Sequence, residues 1–315
     1  MATELKVTVK EGGGGDYTSL EAALDDNEQD LTSTNKYLLI EIDGAWTSDD
    51  TTKADIANYT TGINNYIHIY TTAAARHSGK WDDTKYRIVY SNGSAIEIGS
   101  GAGYITIEGI QIESQGNGTH CVKNSVGTAT SDILIDKMVM CLNTSGSSYN
   151  SGVGETGDAT CEVRNTIIYQ ISEQDNLHGI FMGYSNSVYN ANNVTVIGME
   201  DGFERDGGTF NCANCATVGC YDGYDGVSSQ TNCLSDINGD ANIYTTQSDT
   251  DLFVDPSNYD FHVKDTNSDL YGAGTDLSGT FTDDIDGETR DQWDIGADEY
   301  VVPAEAHPQI VMISE

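Results

Sequence analysis

Glu200, Asp201, Glu204 and Asp206 crowd four carboxylates into seven positions of the chain. Paired carboxylates are what glycoside hydrolysis requires, one as acid and the other as base or nucleophile. A solvated charged loop reads from the same residues. Asp236-Ile237-Asn238-Gly239-Asp240 places oxygen ligands at alternate positions, as the opening of a calcium loop does. An EF-type loop then wants glycine at its sixth position and glutamate at its twelfth, which here are Ala241 and Gln247. Calcium held by Asp236, Asn238 and Asp240, and a plain polar turn, both stay open. Cys212, Cys215, Cys220 and Cys233 make C-x2-C-x4-C-x12-C, formally a zinc spacing. Yet Cys212 also falls at an inward core position, where a free cysteine packs as a small hydrophobe. Lys137 and Arg164 are the basic groups a β-elimination would need, together with calcium to neutralise the substrate carboxylate. No acidic cluster stands at a matching phase beside them.

The elements that must position these groups announce themselves by repetition. From Tyr104 to Val218 an apolar anchor and the residue two further on recur as an inward-facing strand pair: Ile105/Ile107, Ile133/Ile135, Cys161/Val163, Val188/Asn190 and Phe210/Cys212. The anchors, at 105, 133, 161, 188 and 210, are 28, 28, 27 and 22 residues apart. Four residues on stand Gly109, Lys137, Asn165, Asn192 and Asn214. Asparagine tolerates the left-handed backbone of a sharp corner, so the last three are expected to stack as an amide ladder. A second apolar pair follows in most repeats: Ile110/Ile112, Ile167/Tyr169, Val194/Val196 and Ala216/Val218. Strand, corner, strand and a variable loop make one turn of a parallel β-solenoid.

Composition agrees. Of 315 residues 37% are hydrophobic, 34 are glycine and three are proline, which suits many tight corners and little helix. Fifty acidic against fourteen basic residues leave a formal charge of −36. Such a surface repels nucleic acid, anionic membranes and polyuronates unless a cation bridges them. No apolar run approaches a membrane span, and Met1 to Lys6 lacks the pattern of a signal peptide, so folding in a cytoplasm is expected. The seven cysteines are expected to be reduced.

Taken in order, residues 1–35 read as an N-terminal cap. Leu5, Val7 and Val9 alternate as a strand; Leu20, Ala23 and Leu24 form a short helical face, with Thr18 and Glu21 at capping-box spacing. Residues 36–245 carry the solenoid, its early coils irregular and Asn232-Cys233-Leu234 its last corner. Residues 246–300 read as an acidic cap closing the last coils: from Asp269 to Tyr300 ten acidic residues surround Arg290, which is expected to pair among them. Residues 301–315 read as an extended tail, frayed or docked on a partner.

The opening Gly14 to Leu24 resembles the N-terminal cap of many right-handed parallel β-helix proteins. Tyr66 to Thr71, Arg76 to Trp81 and the closing Phe253 to Pro256, Asp260 to Val263, Asp283 to Gly287 and Asp294 to Tyr300 resemble a pectate-lyase-like subset found among tailed-phage and prophage proteins. The resemblance implies an all-β fold, a right-handed parallel β-helix. It implies a non-enzymatic virion protein, whether fibre, spike or capsid-surface decoration, acting in attachment or surface binding. The implied partners are a capsid or tail protein and a host-surface glycan, and a homotrimer is compatible with the fold. The alternatives are a polysaccharide lyase or depolymerase on the same scaffold, and a bacterial surface adhesin. A polygalacturonase-type hydrolase would carry Asn-Thr-Asp, Asp-Asp, Gly-His-Gly and Arg-Ile-Lys; here only Asp-Asp pairs and an isolated His178-Gly179 appear. No catalytic residue is therefore assigned.

Overall fold

The computed structural model describes residues 2–128, 130–144, 149–171 and 175–303. The chain is mostly β, with a 15-stranded and a 7-stranded parallel sheet and a short antiparallel pair, Phe253–Asp255 with Asp260–Val263. Equivalent strands of successive repeats lie side by side. One cross-strand row of the large sheet reads Leu5, Leu38, Ile67, Ile105, Ile133, Cys161, Tyr189 and Phe210. The row two residues on reads Val7, Ile40, Ile69, Ile107, Ile135, Val163, Ala191 and Cys212, and all of these are buried. Stacked apolar rows of this kind remove both neighbours' surfaces from water at every step, which is what holds a solenoid together. The strands Lys36–Ile42 and Ile67–Thr71, expected to be irregular, keep this register without a break.

The fourth anchor is one residue out. Tyr189, not Val188, pairs with Cys161 and is fully buried, whereas Val188 lies opposite Thr160 on the outer side. The corner shifts with it. Gly109, Lys137, Asn165, Asn193, Asn214 and Asn232 take the positive φ of the turn. Asn192 instead points outward, its Nδ2 donating to Glu162 Oε1 at 3.2 Å. The expected ladder survives as one step, Asn214 Nδ2 to Asn193 Oδ1 at 3.2 Å. Asn165 has other partners: its Nδ2 donates to Asp136 and its Oδ1 accepts from Arg290.

Arg290 comes from the closing segment. The closing segment packs along the side of the large parallel sheet, over the corner and the strand that follows it, where the sequence suggested closure of the last coils. Asn232 Nδ2 donates to Ala273 O, Asn214 exchanges two hydrogen bonds with Thr275, and Asn193 Nδ2 donates to the carbonyls of Asp294 and Gly296. Lys137 Nζ meets Asp283 at 2.6 Å. Beneath the segment a second apolar core forms from Val139, Ile167, Tyr169, Ala216, Val218 and Leu234 against Leu252, Phe253, Phe261, Leu270, Ile285 and Ile295. Ile167/Tyr169 and Ala216/Val218 are therefore not inward pairs: Ile168 takes the inward place, aligned with Val196. Both faces of this strand are buried, so period-two alternation cannot say which one faces in.

At the other end, helix Leu20–Asp26 is capped by Ser19 rather than Thr18, its side chain accepting from Ala22 N. Glu21 reaches the backbone of Asp55, and Leu20, Ala23 and Leu24 are fully buried as expected. No described helix is long and apolar enough to cross a membrane. The tail is described only to Pro303, with Val301 and Val302 exposed.

Candidate functional site

The seven-stranded sheet places in spatial order Ala54–Ile56, Ile96–Ile98, His120–Asn124, Asn150–Glu155, Leu177–Met182, Asp201–Arg205 and Asp222–Asp225. Val122, Val153, Ile180, Phe203 and Tyr224 form a buried row across it. Two residues earlier the row is His120, Ser151, His178, Asp201 and Asp222. Between the two rows runs a column of glycines, Gly152, Gly179, Gly202 and Gly223. A Cβ at Gly179 would stand 2.3 Å from Gly202 O, and one at Gly202 would stand 2.5 Å from Gly223 O. Only a bare backbone fits there. The register passes over these glycines, and His178 and Phe181, three residues apart, come out on one face.

His178 is the centre of this face. Its Nδ1 lies 2.8 Å from Glu204 Oε2 and 3.1 Å from Asp201 Oδ2. Tyr149 stacks flat on the ring, with centroids 5.0 Å apart and planes within 8°, and Phe181 flanks both. The imidazole is only 3% exposed while Tyr149 itself is 58% exposed. Burial favours the neutral ring, but Asp201 and Glu204 outweigh it and push the pKa up to about 9. Asp222 and Asp225 stand on the next strand, opposite Asp201 and Glu204. Burial raises the Asp225 pKa, and the charges of Asp222 and Asp201 push it further up.

Farther along the face the charges are balanced. Glu97 lies 2.8 Å from Lys53 Nζ and 3.0 Å from Lys123 Nζ. Burial would raise its pKa, but the two ammonium groups hold it down at about 2. His120 is driven down to about 4 by burial and then by Lys123, and its Nδ1 meets Ser151 Oγ at 2.7 Å. Ser151 is 1% exposed, so this hydroxyl is not offered to a substrate as a nucleophile must be.

Of the four crowded carboxylates, the fold thus unites only Asp201 and Glu204. Glu200 turns to the backbone of Asn176, and Asp206 is exposed. Lys137 and Arg164 do have acidic neighbours, contrary to expectation: Glu108 and Asp283 for the lysine, Asp136 for the arginine, which also covers the Phe281 ring. Asp283 and Phe281 are contributed by the closing segment. Asp236 Oδ2 accepts from Gly219 N and Asp240 Oδ1 from Tyr224 N, while Asn238 is exposed at the turn between them. All seven cysteines are free and buried. Cys215 Sγ donates to Ala191 O, and Cys220 faces the carbonyls of Val196 and Val218.

A second titratable group gathers in the closing segment, where His262 contacts Asp260 and lies 3.6 Å from Asp286, near Asp298. Its acids mostly serve the backbone: Asp298 accepts from Val263 N, and Asp284 from Gly287, Glu288 and Glu299. A single flanking glycine does not mark His178 in the sequence. The usable signal was the glycine recurring between each polar and apolar position at 152, 179, 202 and 223. No protein-family model matches the chain, and no curated protein or solved structure shows significant similarity to it.

Proposed function

We propose that the chain is a right-handed parallel β-helix serving as a non-enzymatic surface-binding protein of a tailed-phage virion, with a neutral glycan as ligand. The handedness rests on a general rule: crossovers between parallel strands of one sheet are right-handed in about 98% of cases. The virion setting rests on the resemblance of Tyr66 to Thr71, Arg76 to Trp81 and the closing stretches. The observation that carries binding is the ledge of Tyr149 and Phe181 on the face that also carries Asp222 and Asp225. Sugar rings lay their C–H faces on aromatic rings, and their hydroxyls donate to carboxylates. Acidic glycans are disfavoured by the −36 charge. Cleavage is disfavoured because Asp201 and Glu204 converge on one imidazole, whereas hydrolytic carboxylates flank the scissile bond.

The test is binding to neutral and acidic cell-surface polysaccharides, with product analysis alongside. Saturable binding to a neutral glycan is expected, at least tenfold weaker in Tyr149→Ala, with no shortening of the chains. Chain shortening that is lost in Glu204→Gln makes the protein a depolymerase instead. Absence of binding across the neutral panel removes the glycan reading.

A further inference from the structure

We infer that His178 Nδ1, Asp201 Oδ2 and Glu204 Oε2 are the protein ligands of a divalent metal ion of the zinc class. The three donor atoms lie within 4.8 Å of one another, on two adjacent strands fixed by parallel pairing. The inference does not depend on what the surface binds.

The argument turns on direction as well as distance. Both oxygens are within 3.1 Å of Nδ1, close enough for an ordinary ion pair. Yet neither ring nitrogen of His178, nor Glu204 Oε2, has a hydrogen-bond partner among the described residues. The oxygens stand beside the axis along which an N–H would point. A buried imidazolium whose N–H groups find no acceptor is a costly arrangement. A shared metal accounts for the same positions. With metal–nitrogen and metal–oxygen distances of about 2.1 Å and angles between a right angle and the tetrahedral value, the donors stand about 3.0–3.4 Å apart and each oxygen sits roughly 35–45° off the nitrogen axis.

The donor set also selects the ion. One imidazole with two carboxylates suits a borderline cation such as Zn²⁺, whereas calcium prefers oxygen alone in higher number. Three protein ligands leave a position for water. Tyr149 stacked on the ring fixes its plane, and Asp222 and Asp225 add negative charge opposite the two carboxylates. The consequence for the fold is a clamp between strands Leu177–Met182 and Asp201–Arg205, hence between neighbouring turns.

The full chain, stripped with chelator and desalted, is titrated with ZnCl₂ by calorimetry and elemental analysis, with CaCl₂ in parallel. The expected result is one equivalent of zinc bound in preference to calcium and a rise in melting temperature on binding. Affinity falls at least tenfold in each of Asp201→Asn, Glu204→Gln and His178→Gln, each checked for an unchanged far-ultraviolet spectrum. Cobalt substitution should give d–d bands without a thiolate charge-transfer band. Should His178→Gln fail to fold, the two carboxylate variants decide. The inference is overturned if zinc does not bind saturably, or if binding survives Asp201→Asn and Glu204→Gln. It is equally overturned if binding is lost only in Asp286→Asn or through a thiolate signal. Because no glycan enters this titration, a negative glycan result and a negative metal result remain separable.

Discussion

Arg290 is the residue on which the closing segment depends. Its side chain is fully buried beside the equally buried Glu299 at 3.5 Å. Its Nη2 donates to Asn165 Oδ1 and to the carbonyls of Gly296 and Ala297, so one guanidinium ties the segment to a corner of the parallel sheet. Removing one partner of such a pair strands the other's charge in the interior, at about 3–5 kcal/mol. Arg290→Met is therefore expected to lower stability by that amount in urea unfolding and to expose residues 246–300 to protease before the solenoid opens. Equal loss of both parts in one transition, with no early cleavage, refutes a tie specific to the segment. The pairing of Arg290 with acids was legible in the sequence; its contact with Asn165 was not, since 125 positions separate them. Tyr189 and Asn193 show another limit. Val188 and Tyr189 are both apolar and Asn192 and Asn193 are both asparagine, so neither residue type discriminates a one-place slip that turns every side chain over. The left-handed corner decides it, and Asn193 alone of the two asparagines adopts it.

At the scale of elements, the glycine column makes the polar face possible. Within this column Gly179 has the closest backbone approach: its Cβ would meet Gly202 O at 2.3 Å and the Val196 methyls at 2.7 and 2.9 Å. A backbone carbonyl cannot rotate aside as a flexible side chain can. Gly179→Ala is expected to cost about 1–3 kcal/mol, the usual range for overpacking. It should also displace His178 from Glu204, visible as a changed imidazole NMR signal. Gly279→Ala, with nothing within 4 Å of its added carbon, serves as the control and should stay within about 0.5 kcal/mol. A neutral Gly179→Ala would mean that the strands can spread without cost. The inward strands were legible because their other face is polar, and alternation then reports orientation. The strand after each corner was not legible in the same way, because residues about a hundred positions later cover its outer face.

For the whole molecule, the proposed attachment is expected to run through the C-terminal segment rather than the flanks. Across its length the chain carries −36, and like-charged flanks resist packing side by side. The first strand, Thr3–Val9, is the outermost of its sheet, but the chain folds back on it: Thr8 N donates to Asp16 Oδ2, and Thr8 O accepts from Asp16 N and Tyr17 N. The Thr8–Val9 end of that edge is thus already occupied, which is a common guard against pairing with other chains. Val7 and Val9 also belong to the core, so trimming residues 1–10 is expected to unfold the first turn and cannot report on docking alone. The C-terminal end differs, with Val301 and Val302 exposed just beyond the buried Glu299 and an apolar Ile310-Val311-Met312-Ile313 following in the sequence. An extended apolar segment can add to a partner's sheet or fill its groove, at an ordering cost offset by buried area. Ending the chain at Pro303 is therefore expected to leave the melting temperature within about 2 °C, since the described cores are built from residues up to Tyr300. The shortened chain should fail to join particles assembled without the native protein, while the full chain restores them. Normal incorporation of the shortened chain, with lateral substitutions such as Glu162→Lys blocking it instead, would place the docking surface on the flank of the solenoid.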